Sequence, residues 1–141
     1  MSKPTLTRTE LLRYALARAL LIGQYERVVS EEDAAPPDVI RRYLEAHDRR
    51  DTDASLSAFA PDAHVLDDGH DYYGLEAIRD WLARASTEFT YTRSFLDAGA
   101  EAPNRWLVRN RLEGNFPGGV VDLRYRFTLV DGLIADLAIV P

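Results

Sequence analysis

Tyr43 and His47 stand four residues apart in a stretch where helical spacing places them on one face with Ile40 and Leu44. Asp67 has the strand parity of Val65 in Ala63-His64-Val65-Leu66-Asp67, so an inward Val65 carries Asp67 inward as well. Asn110 shares parity with Trp106, Val108 and Leu112, and Tyr125 with Leu123, Phe127 and Leu129. A carboxyl taken out of water without a charged partner favours its neutral form, which raises its pKa. Beside a phenol, such a group can act as a general base facing an oxyanion donor. Taken singly, each residue has a plainer role: Tyr43 as a core aromatic, Asp67 as the cap of a turn, His47 as a buried histidine. Taken together, an inward Asp, Tyr, His and Asn would line one cavity.

Other chemistries lack an anchor. The chain has no cysteine, which removes disulfides, thiolate nucleophiles and cysteine-ligated metals. No Gly-x-Ser-x-Gly elbow or glycine-rich phosphate loop is present, and Phe116-Pro117-Gly118-Gly119-Val120 reads as a hairpin turn. His64, Asp67, Asp68, His70 and Asp71 crowd one strand end and loop. Their spacing matches no standard ligand pattern, so no metal and no cofactor is expected.

The elements that must position these residues follow from periodicity. Thr7, with Glu10 as its capping-box partner, opens a helix to about Val29. The acidic stretch Ser30-Glu31-Glu32-Asp33-Ala34-Ala35 and two prolines then break the pattern, which divides the chain into residues 1–35, a helical extension, and residues 36–141, the main domain. A second helix runs from Pro37 or Asp38 to Asp48, and Thr52 can cap a short third, stopped by Pro61. Ala63–Asp67 reads as a strand, Asp68-Gly69 as a turn, and Leu75 to about Ala85 as a helix with Ile78, Trp81 and Leu82 inward. The period then changes to two. Phe89–Leu96, Arg105–Phe116, Val120–Val130 and Leu133–Val140 are strands, with turns at Asp97-Ala98-Gly99, Pro117-Gly118-Gly119 and Asp131-Gly132. Helices first and antiparallel strands last give an α+β domain, a curved sheet wrapped around helices.

Composition bounds the partners. Of 141 residues, 46% are hydrophobic and 28% charged, a globular balance. Seventeen Lys and Arg against 23 Asp and Glu leave a net charge of −6, which argues against nucleic acid or an anionic membrane surface. No apolar run reaches a membrane span, and the N-terminus lacks a small-residue cleavage pattern, so a cytoplasmic protein is expected.

The order of parts resembles the nuclear transport factor 2-like superfamily, and its SnoaL-like branch in particular. Arg42-Tyr43-Leu44-Glu45, Phe59-Ala60-Pro61-Asp62-Ala63 and Gly74-Leu75-Glu76-Ala77-Ile78-Arg79-Asp80-Trp81 carry the resemblance, which covers about Pro36 to Pro141. It implies a cone-shaped, cystatin-like roll with a pocket at its open end, and by family habit a homodimer. Similarity to ketosteroid isomerase implies Tyr43 as an oxyanion donor and Asp67 as the base. The second oxyanion group of that enzyme, a protonated aspartic acid, falls on Tyr125, as does the catalytic aspartate of SnoaL-type polyketide cyclases. Two supporting tyrosines fall on Phe59 and Leu82. An Asp–Arg–Asp triad as in limonene epoxide hydrolase is disfavoured, because Arg124 and Arg126 have outward parity. With Arg109 and Arg111 they belong to the outer sheet face, solvated or at a dimer interface.

The implied function is cofactor-independent proton abstraction next to a carbonyl, or a related cyclisation or dehydration, on a small apolar ring-containing molecule. Asp67, Tyr43 and Tyr125 carry the chemistry, and His47, Asn110, Trp81, Phe59 and Phe127 line the substrate. A ligand-binding or dimerisation module without turnover is the alternative, and the state of Asp67 separates the two.

Overall fold

The computed structural model describes residues 35–141; the expected helix at Thr7–Val29 lies outside them. Helix α1 spans Asp38–Asp48, with Pro37 at its N-cap and Asp38 in the first turn, where a carboxylate suits the helix dipole. It buries Val39, Ile40, Tyr43, Leu44 and Ala46. The short helix α2, Thr52–Leu56, is capped by Asp51 rather than Thr52: the Asp51 carboxylate accepts from the Ala54 N–H at 3.0 Å. Strand β1 spans Phe59–Asp67 and starts earlier than its pattern suggested. Pro61 is tolerated because it falls where the register slips, between Phe59 paired with Ile134 and His64 paired with Asp136.

Asp68 and Gly69, with φ of 50° and 73°, turn β1 into strand β2, His70–Tyr73, a segment the sequence pattern left as a loop. Helix α3 then runs over Gly74–Glu88 and buries Ile78, Trp81 and Leu82. Strand β3 covers Tyr91–Ala102, straight through the turn expected at Asp97-Ala98-Gly99. A register shift between Phe95 and Asp97 absorbs the break in alternation, and the chain turns at Pro103-Asn104 instead. Strands β4, Arg105–Gly114, β5, Val120–Val130, and β6, Leu133–Val140, complete the sheet.

The strand order is β2-β1-β6-β5-β4-β3. All pairs are antiparallel except β1 with β6, which is parallel, so the sheet is mixed where full antiparallel pairing was expected. The last strand inserts between the first strand and β5, and this brings Asp67 into line with the C-terminal half of the chain. The register places Val108, Tyr125, Ile139 and Asp67 side by side in one row across four strands. The inner face packs Val65, Val108, Phe127, Ile134 and Leu137 against Ile40, Tyr43, Ile78 and Leu82. On the outer face Arg109 pairs with Asp97, Arg111 with Asp122 and Arg126 with Glu101, while Arg124 donates to the Pro141 carbonyl.

Candidate active site

Beyond the Asp67 row, β1 and β6 stop, but β3, β4 and β5 continue to the row of Arg93, Leu112 and Val121. Under this overhang, closed by the C-terminal halves of α1 and α3, lies a cavity of about 450 Å³. Its wall contains Tyr43, His47, Asp67, Trp81 and Tyr125, five of the eight residues singled out from the sequence.

Tyr43 is 1% exposed and rests edge-on against Phe59, with ring centroids 5.2 Å apart, and against Phe127 at 5.9 Å. Tyr125 stacks on Phe127, with ring centroids 6.4 Å apart. Neither hydroxyl makes a hydrogen bond among the described residues. Burial drives both phenols well above their ordinary pKa, and nearby acidic groups push the same way. Both therefore stay protonated and able to donate.

Asp67 ends β1 with its Oδ2 accepting a 3.0 Å hydrogen bond from the Trp81 indole N–H. Burial raises its pKa above the usual carboxylate range, and Asp68 and Glu88 add to the shift; the Trp81 bond and the Asp68 backbone N–H oppose it. His47 sits with its ring 5.9 Å from Tyr43 and 6.3 Å from Trp81. Burial lowers its pKa against the pull of Asp48, so the ring is neutral at neutral pH.

Three of the residues expected to line the substrate are placed outside the cavity lining. Phe59 and Phe127, 3% and 0% exposed, lie beneath Tyr43 and outside the cavity wall. Asn110 has the inward parity expected of it, but it is fully buried behind Arg93, whose Nη1 donates to its Oδ1 at 2.8 Å. Arg93 itself was missed. Its Nε and Nη2 bind both oxygens of Asp48 at 2.8 and 2.7 Å, and it shares the wall with Tyr91. Tyr91 and Arg93 alternate on β3, which is a readable signal; the partner Asp48 lies on another element, which is not.

The crowded acidic loop disperses. His64 and Asp67 point to opposite faces of β1, and His64 bridges Asp136 at 2.7 Å and Asp71 at 2.6 Å while stacking on Tyr73. Among the described residues, no group of three His, Asp or Glu side chains is arranged to hold a metal. No helix among them is long and apolar enough to cross a membrane.

Comparison with known families gives a match to the SnoaL-like domain over residues 40–137. No curated protein matches the sequence. Among solved structures, a protein named as a polyketide cyclase from Sinorhizobium meliloti is 39% identical, with a TM-score of 0.71 over 74% of this chain and 95% of that one. A protein of ketosteroid isomerase-like fold from Catenulispora acidiphila is 18% identical, with a TM-score of 0.67 over 76% and 87%. The epoxide hydrolase/cyclase-like enzyme SalBIII, of pyran ring formation in salinomycin, is 19% identical, with a TM-score of 0.64 over 72% and 86%. The latter two likenesses concern the fold.

Proposed function

Because the chain belongs to the SnoaL-like domain family, whose fold serves several chemistries, its activity must be argued from the site, and we propose that it is a cofactor-independent enzyme of the isomerase or cyclase kind. It abstracts a proton next to a carbonyl of a small, largely apolar ring compound. One observation carries the reading: a carboxyl with a raised pKa, Asp67, shares a cavity with two buried, unpartnered phenols, Tyr43 and Tyr125. A base whose pKa approaches the working pH is better matched to carbon acids than an ordinary aspartate. The phenols can donate to the oxygen on which the enolate charge develops. The polyketide cyclase name of the Sinorhizobium meliloti relative supports chemistry of this class.

In this mechanism the ring binds in the cavity with its carbonyl oxygen toward Tyr43 and Tyr125. Ionised Asp67 removes a proton from the adjacent carbon, and the electron pair moves to the oxygen. Asp67 then returns the proton to carbon, while Trp81 holds the carboxylate in place through its N–H. The reading also takes the chain as a homodimer, which sedimentation would test.

Deuterium exchange in D₂O, followed by NMR on cyclic and β,γ-unsaturated ketones, tests the proposal. Exchange is expected with the wild type and not with Asp67→Asn. Tyr43→Phe and Tyr125→Phe should each slow it by ~10²–10³. Ketones that bind without exchanging would instead make the domain a ligand-binding module, with Asp67 serving its turn and Trp81.

A further inference from the structure

Arginine is among the residues least often taken out of water, yet Arg93 stands on the cavity side of β3 with its side chain 13% exposed. Asp48, at the end of α1, binds it in bidentate fashion, and Asn110 of β4 holds Nη1. Asn110 is 0% exposed, and in turning its carbonyl to Arg93 it leaves its own Nδ2 without a partner. An orphaned buried donor is a standing cost, and a leucine would fill that place without it. That cost has a reason if Asn110 is there to orient the guanidinium.

The groups that interact with Arg93 are Tyr43, Glu45, His47 and Asp48 of α1, Tyr91 of β3 and Tyr125 of β5. The Arg93 field favours ionisation at both Tyr43 and Tyr125, and at Tyr125 it outweighs the opposing field of Asp48. Arg93 lines the same cavity as the two phenols.

We propose that Arg93, positioned by Asp48 and Asn110, supplies the positive charge of an oxyanion site formed with Tyr43 and Tyr125, so that the cavity selects a ligand oxygen bearing or developing negative charge, an enolate or phenolate. The proposal deepens the reading above. Binding of a preformed phenolate needs no proton abstraction by Asp67, so the two ideas can fail separately.

The test is the ionisation of bound 4-nitrophenol, read from the absorbance of its phenolate in a pH titration with saturating protein. The proteins are the wild type, Arg93→Lys, Asn110→Leu and the double variant Arg93→Met/Asp48→Asn, which removes both charges together. Circular dichroism and thermal melts establish that each is folded. The bound probe should ionise about tenfold more readily in the wild type than in the double variant. Arg93→Lys should keep most of that advantage, and Asn110→Leu should lose part of it. Equal ionisation in the wild type and the double variant, or no saturable binding of the probe by the wild type, would overturn the proposal. A clear ionisation difference without ketone exchange would sink the proton-abstraction reading and leave the oxyanion site standing.

Discussion

The buried carboxyl of Asp67 carries a cost to stability once it ionises. The folded protein, chiefly through burial, holds its carboxyl above the ordinary range, so the native state binds this proton more tightly than the unfolded chain does. The resulting stability is fully present below the unfolded pKa and is lost as pH rises through the folded one. Asparagine keeps an acceptor for the Trp81 N–H at 3.0 Å but has no charge to desolvate. Asp67→Asn should therefore melt at a higher temperature than the wild type near pH ~8 and show no such gain near pH ~3. Thermal melts at both pH values decide this. A variant that melts lower at the higher pH would mean that the ionised carboxylate is stabilised where it sits. Exchange catalysed by Asp67 should increase with pH through the same titration, because only the ionised form takes a proton.

At the scale of elements, the edge of the sheet is pinned by a different titrating group. His64 of β1 lies between Asp71 of β2 and Asp136 of β6 on the outer face. Burial works against the charged imidazole, but the hydrogen bonds and the charges of Asp136 and Asp71 together outweigh it, and the pKa is raised. This contribution is present below the unfolded histidine pKa and disappears as pH rises through the folded one. His64→Gln should accordingly lower the melting temperature more at pH ~5.5 than at pH ~9. The difference should be about 1 kcal/mol or less, since both carboxylates are about half exposed and solvent screens the pair. An equal deficit at both pH values would leave only the packing of the ring on Tyr73, 4.5 Å away. The candidate site draws on four elements in the same way: α1 brings Tyr43 and Asp48, β1 Asp67, β3 Arg93 and β5 Tyr125. Periodicity alone gave all four elements, β3 as Phe89–Leu96, and the sides that Tyr43, Asp67 and Tyr125 face. It did not single out Arg93, because an inward arginine contradicts the usual burial rule.

In the molecule as a whole, the cavity is built over the core. Phe127, 0% exposed, lies beneath it, with Tyr43 and Tyr125 packed upon its ring. Phe127→Ala should cost about 3–5 kcal/mol, a large part of the stability of an ordinary domain. The loss should appear as a lower urea midpoint with the exchange chemistry lost alongside it, whereas the Tyr→Phe changes in the wall should leave the midpoint nearly unmoved, because neither hydroxyl has a protein partner. The helices and most strands of the main domain, the inward faces of Tyr43, Asp67, Asn110 and Tyr125, and the family are legible along the chain. Those features follow from local spacing and residue type, which a linear chain displays openly. Long-range pairing sets β6 parallel to β1, which aligns Asp67 with Tyr125, and packing brings Asp48 and Asn110 together on Arg93 while Phe59 and Phe127 stay below the cavity. Spacing says which way a side chain faces, but only the register of distant strands says what it meets there.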